Sequence, residues 1–259
     1  MVSLCVLMLT VLVGPVAANF INGSFEDGTF SGWTLAGGTW AEAPQGSGTV
    51  VYSPTGDPGK SEVVGPGLDP LTNNNLSTVY NGNFAARVNN FDNSYHYTTL
   101  EQQVTGWDQD TIYFAWAAVL EEPVNQHNAV AAPHFSLTLN DVTRGTTLYQ
   151  QAFTVYDAPG GAGTWHTGAV SGTTGNWLYT DWVVAQLDTS LYRGDTLNLT
   201  VAAYDCGWGG HGGYAYVDAF GPAPPEPNGT PEPGTLLLLG IGLTGGAFKL
   251  RTRKAASAA

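Results

Sequence analysis

The residues best equipped for chemistry lie close together late in the chain, where Asp205, Cys206 and His211 set a carboxylate, a thiol and an imidazole side by side. A thiolate nucleophile needs an electropositive setting that lowers its pKa. The stretch Asp205–Gly213 holds no Lys or Arg, so thiol catalysis is not expected and no residue is assigned a catalytic role. Cys206 is the one cysteine left after removal of an N-terminal leader, which excludes an intramolecular disulfide. It is either a buried thiol beside the last strand or an intermolecular pairing site, with burial the expected state. His96, His127, His134, His166 and His211 never fall at the i, i+4 spacing of a zinc-binding helix and read as solvated loop histidines. Ser24 sits outside any Gly-x-Ser-x-Gly elbow, and the glycines between 207 and 213 open no helix that would cradle a phosphate.

Glu121-Glu122 and Asp108 with Asp110 are carboxylate pairs. Glycoside hydrolysis needs two carboxylates facing each other across a cleft, which neighbours in sequence do not provide, so these read as surface acidity. The eight tryptophans are a stronger signal, because each buried indole must find a partner for its N–H. Trp40, Trp107, Trp165 and Trp208 fall in Gly-rich or polar stretches and are the candidates for stacking on sugar rings, with Tyr95-His96-Tyr97 adding aromatic loop surface.

Charge narrows the partners. Only 11% of the 259 residues are charged, with 8 basic against 21 acidic. Four of the basic residues, Lys249, Arg251, Arg253 and Lys254, crowd the last eleven positions, leaving Lys60, Arg87, Arg144 and Arg193 against 20 acidic residues over 19–230. Such a body repels phosphate backbones and excludes nucleic acid as a partner; it suits calcium or cationic partners. Aromatics at 12% exclude a disordered acidic chain.

The elements that must position these residues are strands. Short apolar runs separated by Gly, Pro, Asn and Asp predict strands at 19–25, 49–53, 83–88, 98–104, 111–120, 134–139, 147–156, 177–187, 196–204 and 213–220. Phe135–Leu139 and Thr196–Val201 alternate as half-buried strands do, and the β-branched and aromatic content of Thr111–Leu120 marks a central strand. About ten strands joined by turns predict an all-β fold, a jelly-roll β-sandwich over 19–221, with 54–78 as a long loop.

Both ends read as addresses. Residues 4–13 are apolar and lead through Gly14-Pro15 to Val16-Ala17-Ala18, a signal-peptide pattern (1–18) cleaved after Ala18, although no Lys or Arg precedes the apolar run. At the other end a Pro-rich linker (222–230) leads to Pro231, Glu232 and Pro233, then an uncharged stretch ending at Phe248. As a transmembrane helix over about 234–248, flanked by Lys249, Arg251, Arg253 and Lys254, it would place the body outside the cytoplasm. Pro231-Glu232-Pro233, the Leu- and Gly-rich span and the basic cluster, in that order, resemble the PEP-CTERM sorting signal (231–254), a tail also labelled the ice-binding protein C-terminal domain although it binds no ice itself. The resemblance implies an exosortase as processing partner in a Gram-negative cell. The body would wait in the periplasm, held at the inner membrane, before release to the cell surface.

The body carries a second resemblance. Asn22-Gly-Ser-Phe-Glu-Asp-Gly28 with Gly32-Trp33, and the closing Gly213-Tyr-Ala-Tyr-Val-Asp218, resemble the first and last segments of carbohydrate-binding-module-like, galactose-binding-like jelly rolls. In that group the opening Glu and closing Asp share a structural Ca2+, which implies Glu26 and Asp218 as metal ligands here, oxygen donors suited to a hard cation. No other cofactor is implied. The expectation is an exported, non-enzymatic surface or matrix protein that binds polysaccharide; the alternatives are a secreted carbohydrate-active enzyme and a self-assembling structural protein.

Overall fold

The computed structural model describes residues 18–123, 127–157, 164–171 and 175–228. Numbered along the chain, the strands are β1 (Thr34–Glu42), β2 (Val50–Pro54), β3 (Glu62–Val64), β4 (Ala85–Val88), β5 (His96–Val104) and β6 (Thr111–Glu121). After them come β7 (His134–Asp141), β8 (Thr146–Thr154), β9 (His166–Ser171), β10 (Gly175–Tyr179), β11 (Val183–Asp188), β12 (Leu197–Tyr204) and β13 (Gly213–Gly221). They form two sheets of antiparallel strands. One runs β2-β1-β5-β12-β7-β8, the other β3-β4-β13-β6-β10-β9, with β11 also pairing to β6. The protein is an all-β sandwich of jelly-roll type.

Alternation in the first sheet sorts its side chains. Leu100 and Val104, Leu197, Leu199 and Val201, and Phe135, Leu137 and Leu139 point inward to one apolar core. They meet Phe114, Trp116, Ala215 and Val217 from β6 and β13 of the second sheet. The second sheet is covered on its other face as well. Ala117, Val119, Trp177, Tyr179, Tyr214 and Tyr216 pack there with Leu76. Asp69, buried in the same loop, accepts the hydroxyls of Tyr214 at 2.7 Å and Tyr216 at 2.8 Å. This roof explains why β6 is apolar almost without interruption: both of its faces are enclosed. The expected long loop at 54–78 is therefore a cover, and it includes β3 and a short 3-10 turn at Pro70–Thr72.

Three expectations need correction. Residues 19–25 are turns, with Asn22 at φ 49° and Phe25 at φ 56°. The segment is fixed from the side instead, since the Gln102 amide accepts from Ile21 N at 2.6 Å and donates to Ile21 O at 2.9 Å. Its rings still reach the core, where Phe20 and Phe25 both stack on Trp33. The strand expected at 177–187 is two, β10 and β11, laid end to end along β6 with Thr180, Asp181 and Trp182 between them. β1 and β9 went unforeseen. β1 is disguised by Gly37 and Gly38; a Cβ at Gly37 would lie 2.2 Å from Tyr97 O, so the strand passes its neighbour only without side chains.

Candidate functional site

The outer face of the first sheet, unlike that of the second, lies open. Cross-strand partners share a face, and the registers Tyr204 with Tyr97, Tyr204 with His134, and Trp40 with Tyr52 gather five rings at one end of it. His134 stacks on Tyr204 with centroids 4.0 Å apart, Tyr204 on Tyr97 at 5.6 Å, and Tyr52 meets Tyr97 edge-on at 5.4 Å. Trp40 closes the group edge-on to both Tyr204 and His134. Tyr52 is 49% exposed. Beyond the rings the same face continues in half-buried Thr99, Glu101, Ser136, Thr138, Asn198 and Thr200, four hydroxyls, one amide and one carboxylate. Burial with Tyr52 and Tyr97 nearby pushes the Tyr204 hydroxyl up to about 12, so it stays a neutral donor and acceptor.

The sequence singled out two of these five rings, Trp40 and Tyr97, and His134 only as a solvated loop histidine. Trp40 is 2% exposed and Trp107 fully buried, their N–H groups held by Asp205 O and Thr189 Oγ1, so neither indole can stack on a sugar from solvent. Trp165 leans on the core with its N–H on Asp157 O, and Trp208 donates to Glu42 Oε2 at 2.6 Å while its ring lies over His127. Of the Tyr95-His96-Tyr97 string only Tyr95 is loop, 40% exposed; His96 and Tyr97 open β5. The signal that could have pointed to Tyr204 is the alternation of β12, which ends on an outward position.

Glu26 and Asp218 both grip the 80–84 turn. Glu26 Oε1 accepts from Asn83 N at 2.8 Å and Phe84 N at 3.0 Å, and Oε2 from Asn83 Nδ2 at 3.0 Å. Gly82, at φ +75°, lies so close that a Cβ there would sit 2.3 Å from Glu26 Oε1. Asp218 Oδ2 accepts from Tyr80 N at 3.1 Å and Asn81 N at 2.8 Å, whereas its Oδ1 is buried with no hydrogen-bond partner. Burial, aided by the charge of Glu26, pushes the Asp218 carboxyl up to about 7 against those hydrogen bonds. An enclosed carboxylate oxygen with nothing to bind, beside a second carboxylate, fits a hard cation with oxygen preference.

At the other end of β13 the histidine expectation fails. His127, Cys206 and His211 converge, with one donor atom from each lying within 4.8 Å of the others. Of the rest, His134 and His96 sit on the first sheet, and His166 on β9 pairs with Asp181 at 3.0 Å. Cys206 is a fully buried free thiol, Sγ 3.4 Å from His211 Nδ1, and burial pushes it up to about 11. Glu121 also departs from surface acidity: it is 4% exposed and accepts from Gly212 N and Ser171 Oγ. Asp108 and Asp110 are exposed, Asp110 pairing with Arg193 at 2.7 Å.

No helix among the described residues is long and apolar enough to cross a membrane; the expected span at about 234–248, its basic flank, the Pro231-Glu232-Pro233 motif and the leader up to Ala17 lie outside them. No curated protein matches the chain. Among solved structures it is similar to the carbohydrate-binding module TmCBM61 in complex with β-1,4-galactotriose, at 16% identity and TM-score 0.41 over 78% of this chain and 96% of that one. It is also similar to a carbohydrate-binding module, CBM28, specific for non-crystalline cellulose, at 14% identity and TM-score 0.38 over 80% and 98%. A third likeness is to the enzymatically active domain of tailspike protein 4 of bacteriophage CBA120, at 10% identity and TM-score 0.36 over 78% of this chain and 21% of that one. Residues 230–254 match the PEP-CTERM protein-sorting motif, which marks the chain as an exported, exosortase-processed surface protein.

Proposed function

We propose that the protein is a non-catalytic carbohydrate-binding component of the cell surface or extracellular matrix, gripping a polysaccharide chain along the outer face of the β2-β1-β5-β12-β7-β8 sheet. The observation that carries this reading is the run of rings Tyr52, Tyr97, Tyr204 and His134 continuing into four hydroxyls and one amide. Tyr52, the exposed ring of the group, offers its face to the apolar side of a pyranose with the stacked Tyr97, Tyr204 and His134 rings behind it, and the neutral polar groups beside them take its hydroxyls. The face is also poor in acids. Glu42 is held by four N–H donors and Asp141 is buried beside Arg144, which leaves Glu101 as the one half-buried carboxylate on these strands. The sorting motif supplies the location, since exopolysaccharide is the polymer met outside the envelope.

Two further parts belong to this proposal. A structural Ca2+ lies between Glu26 and Asp218, supported by the unpartnered Asp218 Oδ1, and fixes the 80–84 turn against β13. The tail anchors the precursor in the inner membrane until an exosortase processes it. Calorimetric titration of the protein with host exopolysaccharide and with β-linked oligosaccharides tests the reading. Replacing Tyr52 and Tyr204 by Ala should weaken binding at least about tenfold, in line with the ~1–2 kcal/mol that ring contacts contribute. Unchanged binding in the double variant, or reducing-sugar release by the wild type, would replace it with a different face or with an enzyme.

A further inference from the structure

We propose that His127, Cys206 and His211 form a binding site for a borderline-soft divalent cation, Zn2+ by preference. It goes beyond the sugar-binding reading and stands without it. Three separate chain segments are not needed to build it, only two: the loop 205–212 before β13 and the segment 127–132 before β7. The loop is closed on itself by Cys206 N donating to His211 O at 2.9 Å, which brings the thiol to the imidazole. It is tied to the other segment by Gly207 N donating to Ala131 O at 2.8 Å. The rings of His127 and His211 stand perpendicular with centroids 4.6 Å apart, and one donor atom from each of the three residues lies within 4.8 Å of the other two.

Two observations beyond proximity point to a ligand. Both ring nitrogens of His127 are shielded from solvent and have no hydrogen-bond partner. An unmet buried polar group is destabilising, and a coordinated ion removes that cost at one nitrogen. The second is the support around the donors. Asn128, next to His127, and Trp208, two residues past Cys206, both donate to the carboxylate of Glu42, at 3.0 Å and 2.6 Å. The Trp208 ring in turn lies against His127, centroids 4.6 Å apart. One carboxylate therefore aligns both ligand-bearing segments, as outer partners do around metal-binding histidines.

The donor set chooses the ion. One sulfur and two imidazole nitrogens suit Zn2+ and exclude Ca2+ and Mg2+, which take oxygen. Glu42 does not complete the set, because Gly46 N and Gly48 N join Asn128 and Trp208 on its two oxygens. The fourth position is then left to water or an exogenous ligand. Binding forms a sulfur–metal bond as the Cys206 S–H bond breaks, and releases that proton to solvent.

Co2+ titration of the reduced, full-chain protein in excess Ca2+ tests this. Expected is a thiolate-to-cobalt charge-transfer band in the near ultraviolet with tetrahedral visible bands, saturating at one equivalent and displaced by Zn2+. Cys206→Ser should lose the charge-transfer band. His127→Ala, at the rim of the site where substitution spares the fold, should weaken Co2+ binding at least tenfold. A folded wild type that gives no charge-transfer band, or a His127→Ala variant that binds as tightly as the wild type, would overturn the site.

Discussion

The two ends of β13 are built from the same parts and differ in one detail. At its start, Glu42 collects N–H donors from Gly46, Gly48, Asn128 and Trp208. Burial opposes its charge, but these bonds outweigh it and hold the carboxyl down at about 2. Near its end, Asp218 collects Tyr80 N and Asn81 N on one oxygen and leaves the other bare. A buried carboxylate whose lone pairs are all engaged is scaffold; one with an oxygen left over is a ligand in waiting. At the start of β13 the unmet atoms are instead the nitrogens of His127, beside a sulfur. The two ends thus offer donors of different hardness, oxygen at one and nitrogen and sulfur at the other.

The largest effect should come from removing Asp218. Asp218→Ala strands two amides that now have an acceptor and should cost about 3–5 kcal/mol in denaturant unfolding. Asp218→Asn keeps the shape and should cost less, yet abolish any response to Ca2+. In the wild type, withdrawing calcium with a chelator should lower the midpoint of thermal unfolding by about 5–10 °C, from the ~2.7 kcal/mol a ligand supplies at a hundred times its Kd. A wild type indifferent to the chelator would make Asp218 as purely structural as Glu42.

The same detail explains what was legible in the sequence. β6 announces itself because Ile112, Phe114, Trp116 and Val119 are β-branched or aromatic throughout, and β7 and β12 because Leu137, Leu139, Leu197 and Leu199 alternate with polar residues. β1 does not, because the close passage at Gly37 and Gly38 removes the residues that mark a strand. The proposal for Glu26 and Asp218 was reachable through the opening and closing motifs that carry those residues. His127 with Cys206 and His211 was not, since a site made by two loops meeting at a sheet end has no fixed spacing. Tyr204 was hidden for a different reason, and Tyr97 and His134 read as loop residues: each stands on the open side of a strand, where a single ring looks like ordinary alternation.

A smaller effect separates ligand histidines from packing ones. His134 belongs to neither cation site; it stacks on Tyr204, with Nδ1 3.0 Å from Ala132 O. Burial depresses it to about 4 despite that contact, against 6.5 in the unfolded chain. Below pH 6.5 the unfolded chain therefore gains a proton that the folded one refuses, and stability falls as pH drops towards 4. At ~1.4 kcal/mol per pH unit the loss from this residue is about 3 kcal/mol at most. Denaturation of His134→Gln should show a correspondingly shallower fall over that window, and saturating Zn2+ should leave the difference between variant and wild type intact. If Zn2+ erased the difference, His134 would belong with the nitrogen and sulfur donors.

The finest test of the contrast is Glu42→Gln. The substitution keeps volume but turns one acceptor oxygen into a donor facing N–H groups, so at least one of Gly46, Gly48, Asn128 and Trp208 must turn away. Glu42 acts on the proposed site through the placement of His127 and the 205–212 loop and through its charge, which favours a cation at His127. Loss of such an outer partner reduces metal affinity by about 10–100-fold, or ~1.4–2.7 kcal/mol. Zn2+ competition against a chromophoric chelator should show that loss, and the midpoint shift on calcium withdrawal should not change. Unaltered zinc affinity would mean that Glu42 merely fastens loops, leaving the nitrogen and sulfur end unsupported by it. A fall in the calcium response as well would mean that β13 transmits strain from one end to the other, and the two sites would have to be treated as a single coupled unit.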